Sequence, residues 1–389
     1  MSFVPTKEQK LIQQSVRDFA KRSLKPIAAE LDRTGEYPAD VVRVMAENDF
    51  LGLFVPATLG GTEAGYSSYL LVVEELARVC AALASILINH SAAVYALLRW
   101  GSPAQQQTYL PLLASGESLG ALAVHEEGPA VGTGPQAVIA TPFPPQHAQE
   151  RRVPGTPFAS GYRLKGRKTF VGNAGKANIY VVLARGAESP GLIAFLVDAK
   201  TPGLGIGPSR TGMGLRGCPV ADLLLDDVAV SEASLLGAPD QGEVIAEETL
   251  AATAVAEAAQ TVGIMQTALD EAAKYARQRV QFGQPIANFE AVQGLLAEAI
   301  TNCHLARLAA YDAARLIADG QPFLREAAMV KWFCSRIGPS GLVNAIQVEG
   351  GFGYSEEAPL ARLYRDVWGT SILEPPADFP ERVIVGGRR

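Results

Sequence analysis

Apolar residues recur at helical spacing through the N-terminal third of the chain. Leu11, Val16 and Phe19 mark one such stretch, and residues 69–100 form a much longer one. A spacing of three or four residues places these side chains on one face of a helix. The pattern predicts a helical domain over residues 1–117.

The pattern then changes to short segments that favour β-strands. Gly, Pro and Asn separate them, and they read YRLKG, KTFVG, NIYVVLAR, GLIAFLVDA and ADLLLDDVAV. Such runs between turn-forming residues predict a small antiparallel β domain over residues 118–233. Within it, residues 141–157 are rich in Pro, Gln and Arg and are expected to form a loop or a distorted hairpin.

Helical spacing returns after residue 234 and continues almost to the end. Residues 247–280, 290–319 and 324–350 are each long enough for a helix of an antiparallel bundle. The predicted C-terminal domain covers residues 234–389. The fold class is therefore multi-domain α+β, in the order all-α, all-β, all-α.

One glycine motif, Gly212-x-Gly214-x-x-Gly217, has the spacing of a dinucleotide-binding turn. That turn needs a parallel strand before it and a helix after it, so that amides and helix dipole face a pyrophosphate. The segment that follows, CPVADLLLDDVAV, is typical of a strand. The context therefore argues against a Rossmann site.

Composition excludes several classes of protein. The 389 residues include 34 basic and 40 acidic ones, a formal charge of −6, and no long block of one sign. A nucleic-acid partner is therefore not expected. Cys80, Cys218, Cys303 and Cys334 are scattered, which favours reduced, mostly packed thiols over a metal site or disulfides.

Neither the N-terminus nor the longest apolar run of the helical domain predicts export or a membrane anchor. The N-terminus lacks the order of a signal peptide, which suggests a cytoplasmic protein. Residues 79–98 contain no Lys, Arg, Asp or Glu, but Asn89 and His90 lie at the centre of this run. We expect a buried helix there and no membrane span.

Three stretches resemble the acyl-CoA dehydrogenase family. They are YARQRVQFGQPIANFEAVQ at residues 275–293, QVEGGFGYSEEAPLARLYRD at 347–366 and the β-domain exit at 212–237. The resemblance implies a C-terminal four-helix bundle and an FAD held between the β domain, the bundle and a neighbouring subunit. It also implies a homotetramer, with a dimer or a hetero-oligomer as alternatives.

The resemblance assigns five residues to the adenosine diphosphate side of the cofactor. Arg279 and Phe282 would reach the FAD of a neighbouring subunit, and Gln347, Gly350 and Gly351 would assist from the same side. An Arg side chain offers a planar fork of donors to pyrophosphate oxygens, and a glycine pair lets backbone approach a ligand closely.

On the flavin side, the resemblance assigns Leu122, Val124, His125, Phe170 and Gly172. Phe170 falls where an aromatic ring packs on the flavin in the family. Gly172 falls where a hydroxyl side chain donates to the flavin, so that hydrogen bond is expected to be missing. His125 replaces a threonine, and its imidazole either donates to the flavin edge or is an ordinary polar group of the loop.

The family's catalytic carboxylate matches Glu374. Desolvation by substrate would raise its pKa towards that of the α C–H group. Pro375 and Pro376 follow where the family has Gly and Thr, so the turn must differ, but the Glu374 amide remains to polarise the thioester carbonyl. The alternative is that Glu374 is a solvated acid on a loop.

The helix before the signature has lost two polar residues that often contact substrate in the family. Ala251 and Ala254 occupy those positions, and no carboxylate stands at Thr253, where some members place the base. Glu374 is therefore the main candidate base. The substitutions suggest an altered acyl group or a carrier-protein thioester in place of CoA.

The predicted function is FAD-dependent α,β-dehydrogenation of an acyl thioester. Glu374 would remove the α proton and the flavin would accept the β hydride. An electron-transferring flavoprotein is the expected electron acceptor. The alternative is a non-catalytic or half-catalytic subunit of a hetero-oligomeric dehydrogenase-like complex.

Overall fold

The computed structural model describes residues 4–128, 134–143, 160–188, 191–372 and 383–385. The N-terminal part is helical, as predicted. Thr6 begins the first helix with a reciprocal capping box, its hydroxyl accepting from the Gln9 amide. The six α-helices described there are α1 (Lys7–Phe19), α2 (Ala28–Thr34), α3 (Ala39–Glu47), α4 (Tyr66–Ala77), α5 (Ala81–Trp100) and α6 (Pro103–Ala114).

Helix α5 is a core helix. Among the described residues it alone is long and apolar enough to cross a membrane, but 83% of its apolar window is buried inside the protein. It packs against α4, α6, the helix α7 (Gly242–Gln278) and the first strand of the sheet. The prediction of a buried helix over residues 79–98 is confirmed, with the helix beginning two residues later.

The strands described in the middle part of the chain are β1 (Gly120–Ala123), β2 (Ile139–Phe143), β3 (Gly161–Gly172), β4 (Ile179–Gly186), β5 (Leu192–Asp198), β6 (Leu204–Ser209), β7 (Val220–Ser231) and β8 (Leu235–Leu236). They form one sheet with the order β6-β7-β3-β2-β4-β5-β8, and β1 also pairs with β4. Of the segment expected to form a loop, residues 141–143 end strand β2 and residues 144–157 lie outside the described chain.

Most strand pairs in the sheet are antiparallel, but two are parallel. β1 pairs with β4 from Gly120 opposite Ile179, and β2 pairs with β4 at Ile139 opposite Arg185. The purely antiparallel prediction was wrong at these two pairs. Parallel strands are joined by a long crossover connection, so they pair segments that are far apart in the sequence. The alternation of apolar and polar residues within one strand does not reveal which distant strand it pairs with.

Within the described residues, four helices form the C-terminal bundle: α7 (Gly242–Gln278), α8 (Glu290–Ala318), α9 (Leu324–Glu349) and α10 (Pro359–Ile372). A two-stranded hairpin of β9 (Val280–Gln281) and β10 (Gln284–Pro285) joins α7 to α8. Apolar residues of α1–α5 and of the bundle share one continuous core. The predicted α-β-α order is therefore confirmed.

Helices α4 and α7 approach each other closely at Gly263. A Cβ atom added there would lie 2.3 Å from the Glu74 carbonyl oxygen and 2.9 Å from the Ala77 Cβ. The Glu74 carboxylate is itself fixed by hydrogen bonds from Arg307 and the Tyr311 hydroxyl, at 3.0 and 3.1 Å. The absence of a side chain at residue 263 is thus what permits this contact.

Candidate active site

A cavity of about 850 Å³ lies where the three parts of the chain meet. Its walls come from the loop after α2, from α5, β3, α7 and α10, and from the loop between β6 and β7. A volume of this size is typical of sites for cofactors and small ligands. His125, Phe170 and Gly172, three of the predicted flavin-side residues, line it together.

Phe170 presents its ring to the cavity. It lies on β3 at a register shift, has a positive φ of 53° and is 48% exposed. Asp222 holds it in place by accepting from the Phe170 amide at 3.2 Å. A positive φ is unfavourable for an aromatic residue and is maintained here by the surrounding contacts.

An arginine covers the Phe170 ring. The Arg210 guanidinium carbon lies 4.3 Å from the ring centroid, and its Nε donates to Asp222 at 2.8 Å. Arg167 binds the same carboxylate. The Arg210 guanidinium holds the pKa of Asp222 well below its ordinary value, so this carboxylate is a fixed anion that orients both Phe170 and Arg210.

Asn89 occupies the space beside Gly172. A Cβ atom added at Gly172 would lie within 2.5 Å of three atoms of the Asn89 side chain. Asn89 comes from α5, also lines the cavity, and donates from Nδ2 to the Cys218 sulfur at 3.6 Å. The missing hydroxyl at residue 172 therefore makes room for a carboxamide from a different domain.

Cys218 is a thiol in the wall of the cavity. Burial raises its pKa to about 12. The thiolate, which is the nucleophilic form, is therefore almost absent near neutral pH. Cys218 acts here as a packing group and as an acceptor for Asn89.

The glycine motif also belongs to the cavity, although it is not a Rossmann turn. Gly212, Gly214 and Gly217 all line it, and the strand β7 follows them, as predicted. A Cβ atom at Gly214 would lie 2.2 Å from the Arg365 carbonyl oxygen. The loop can therefore lie directly on helix α10.

Asp366 fastens this loop to α10. The Leu215 amide donates to its carboxylate at 2.6 Å, and Leu215 has a positive φ of 54°. The neighbouring Arg365 binds Asp32 and donates to the Met213 carbonyl at 3.0 Å. The Arg-Asp pair of the sequence thus fixes one wall of the cavity.

The burial of Asp366 predicts a pH-dependent stability. Desolvation raises its pKa to about 6 from an ordinary value of 3.8, so protonation favours the folded state. This stabilisation is present below pH 3.8 and is lost as the pH rises through 6. Asp366→Asn cannot ionise, so its free energy of unfolding relative to wild type should rise by about 2 kcal/mol between pH 4 and pH 7. Urea unfolding at a series of pH values measures this, and parallel pH profiles for the two proteins would contradict it.

A group of buried polar side chains, which sequence reasoning did not identify, faces the cavity from the helices. Ser85, Glu257, Gln260 and Thr370 line it and are each no more than 8% exposed. Lys331 is 4% exposed and donates to Glu257 Oε2 at 2.5 Å and to the Thr370 carbonyl at 2.6 Å. The available signal was a lone acid within the alanine-rich run of residues 251–259.

The predicted adenosine-side residues gather on a different surface. Arg279, Phe282, Gln347, Gly350 and Gly351 are exposed, and none of them lines the cavity. Phe282 is 93% exposed on the β9–β10 hairpin with a positive φ of 51°. The end of α7 and the loop after α9 meet there, since the rings of Tyr275 and Phe352 stack at 5.9 Å.

Leu122 and Val124 do not reach the cavity with their side chains. Both are buried in the core beneath the sheet, at 5% and 1% exposure. Val124 instead offers its carbonyl to the buried Lys168 ammonium at 3.1 Å, which also binds Glu126. Any contact from Leu122 and Val124 to a cofactor must therefore come from backbone.

Glu374 lies outside the described residues, because α10 ends at Ile372 and the description resumes at residue 383. The preceding turn of α10 borders the cavity through Gly369 and Thr370. The role of Glu374 therefore stays a prediction, as do the roles of the ten residues assigned to the cofactor.

Comparisons with known proteins cover the whole chain. The models for the N-terminal, middle and C-terminal domains of acyl-CoA dehydrogenase match residues 6–117, 151–228 and 240–379. The acryloyl-CoA reductase (NADH) of Anaerotignum propionicum is 35% identical over 99% of this chain and 95% of its own. Subunit CarC of the caffeyl-CoA reductase–Etf complex of Acetobacterium woodii is 33% identical over 98% of both chains. The butyryl-CoA dehydrogenase structure from Megasphaera elsdenii superposes with a TM-score of 0.90, at 31% identity over 99% of both chains.

Proposed function

Because the chain belongs to the acyl-CoA dehydrogenase family, we propose that Glu374 is the base of an FAD-dependent α,β-oxidation of an acyl thioester in the cavity. The family establishes the enzyme class, an oxidoreductase acting on CH–CH bonds of acyl thioesters, and FAD as the cofactor. The observation that carries the proposal is the three-domain cavity itself, which α10 borders through Thr370, four residues before Glu374.

The residues present fit a flavin. The cavity has the volume of a cofactor site, and the half-exposed Phe170 ring offers a flat apolar wall against which a ring system packs. His125 and Asn89 add polar groups to the same cavity. When bound, FAD supplies the hydride acceptor for the β carbon.

The chain's own groups would orient the substrate and move one proton. Glu374 would take the α proton onto its carboxylate, and its backbone amide would donate to the thioester carbonyl. Asp222 fixes the Phe170 wall, and Asp366 fixes the glycine loop, so the cavity keeps its shape without substrate. Preorganised groups of this kind lower the barrier because they need not reorient during the reaction.

The substrate is an acyl-CoA or an acyl-carrier thioester. Ala251 and Ala254 have no polar side-chain atoms, so the two substrate contacts that the family resemblance would place on this part of α7 are absent. An acyl group of unusual shape or polarity would compensate for that loss. The alternative reading, a partner subunit without activity, predicts a protein that remains colourless when expressed alone.

Electron acceptor and assembly belong to the same proposal. An electron-transferring flavoprotein is the acceptor, in keeping with the Etf complex that the CarC relative forms. A homotetramer in the cytoplasm would cover Phe282, an apolar side chain that a lone subunit leaves 93% exposed. Arg279 and its four companions would then lie against the adenosine end of a neighbour's FAD.

The proposal is tested with the purified, FAD-loaded protein. Anaerobic mixing with a panel of acyl-CoA and acyl-carrier thioesters should bleach the flavin band at visible wavelengths for at least one of them. A fully loaded protein that no thioester bleaches would overturn the enzymatic assignment. A protein that binds no flavin until a second dehydrogenase-like chain is supplied would favour the subunit reading.

A further inference from the structure

The wall of the cavity that helices α5 and α7 form contains a buried carboxylate, Glu257, to which the proposed reaction assigns no role. We propose that Glu257, with Gln260 and Ser85, selects acyl groups that carry a hydrogen-bond donor, such as a hydroxyl or an amine, in place of plain hydrocarbon chains. This inference rests on the proposed function, because it names the acyl group that the thioester would carry.

The three residues form one polar patch. Glu257 and Gln260 are three residues apart on α7 and therefore share a face of the helix. Ser85 lies opposite them on α5, and Gln260 Nε2 donates to its hydroxyl at 2.7 Å. All three line the cavity, on helices away from the Phe170 wall.

Lys331 supports Glu257 from behind. It is not among the cavity-lining residues, and its ammonium bridges the Glu257 carboxylate and the Thr370 carbonyl. The carbonyl belongs to the last turn of α10, where a positive charge is favourable. The ion pair is thus oriented, with the lysine in the protein interior and the acid at the cavity surface.

Stability alone does not account for such a pair. Desolvation of two charges offsets much of their attraction, and apolar residues of similar volume often stabilise a core at least as well. Around Glu257, α7 is alanine-rich and apolar, so a hydrocarbon residue would suit its packing. A carboxylate at residue 257 is useful for binding, because a ligand in the cavity can donate a hydrogen bond to it.

The charge of the patch sets the chemistry that it recognises. A carboxylate accepts hydrogen bonds and donates none, so it favours hydroxyl, amide N–H or ammonium groups. A second carboxylate on the acyl chain would be repelled, and a methyl group would leave the carboxylate facing hydrocarbon. On the same helix, residues 251 and 254 are alanines, where the family resemblance would place polar side chains. The polar side chains of α7 that line the cavity are instead Glu257 and Gln260, further along the helix.

The test compares pairs of substrates of equal size. The ω-hydroxyacyl-CoAs of four to six carbons are each paired with the straight-chain acyl-CoA one carbon longer, and kcat/KM comes from flavin bleaching. Binding is measured separately, as the flavin spectral shift in the Glu374→Gln background, where turnover should not interfere. The variants are Glu257→Gln and the double change Glu257→Val with Lys331→Met, which leaves no unpaired buried charge.

In wild type, at least one hydroxyacyl thioester should bind and react at least 10-fold better than its hydrocarbon partner. The double variant should lose at least 10-fold of that preference, while Glu257→Gln, which keeps an acceptor oxygen, should retain part of it. An unchanged ratio in the double variant would overturn the inference and leave the proposed function intact. A Glu257→Gln protein that binds both thioesters but bleaches with neither would also overturn it, since Glu257 would then be acting on the reacting carbons. No response from any thioester in wild type would remove the proposed function and this inference together.

Discussion

Glu374→Gln should give a yellow protein that no longer oxidises acyl thioesters. The amide has nearly the same shape as the carboxylate but cannot accept the α proton. A positioned general base typically contributes about 10²–10⁴-fold to the rate, so kcat should fall by at least about 100-fold. The FAD absorbance and the thioester-induced spectral shift should persist, because neither depends on proton removal. Stopped-flow bleaching of the loaded protein measures the loss.

The matched control is Glu357→Gln, the same change at an exposed acid on the loop before α10. It should keep wild-type bleaching and wild-type colour. If Glu374→Gln keeps a turnover rate within about tenfold of wild type, its rate is higher than the loss of a positioned base allows. That outcome would refute the assignment of the base and would direct attention to Glu257, an acid that lines the cavity from helix α7.

Gly263→Ala should destabilise the fold by about 3 kcal/mol or more, despite the higher helix propensity of alanine. The added methyl group would meet the Glu74 carbonyl and the Ala77 Cβ, both on α4, and neither atom can give way unless α4 and α7 move apart. That movement would disturb the Glu74 contacts to Arg307 and Tyr311. Thermal unfolding of the FAD-loaded protein should show a lower midpoint.

Gly294→Ala provides the control for this experiment. It is the same substitution, also inside a helix, but on the exposed side of α8 no atom outside the local helix backbone lies within 4 Å of the added Cβ. Alanine should therefore stabilise α8 by about 0.5–1 kcal/mol. Equal effects at residues 263 and 294 would show that helix propensity decides the outcome and that the α4–α7 contact does not.

The helices were the part of the fold most accessible from sequence. The predicted segments 290–319 and 324–350 agree with α8 and α9 to within one residue at each end, because long periodic runs end at clear turn signals. The parallel position of β1 could not be predicted in this way. It has four residues, all buried, and its pairing with β4 depends on contacts between segments some 60 positions apart.

The candidate site was only partly accessible. Phe170 and Gly172 were found by resemblance, but Asn89, which fills the space beside Gly172, belongs to a different domain. Glu257 was overlooked because its significance depends on the tertiary fold, which brings Lys331 from another helix against it. The glycine motif was correctly separated from a Rossmann turn, yet its place in the cavity wall follows from its contact with α10, which no local pattern encodes.

The thiol of Cys218 has a practical consequence. A reduced flavin that meets dissolved oxygen yields hydrogen peroxide, and the sulfur of Cys218 lines the same cavity. Peroxide attacks the thiolate, and burial raises the pKa of Cys218 so far that this form is almost absent at pH 7. Oxidation of Cys218 should therefore be slow during aerobic cycles, and alkylating reagents should leave this cysteine unlabelled as long as the chain stays folded.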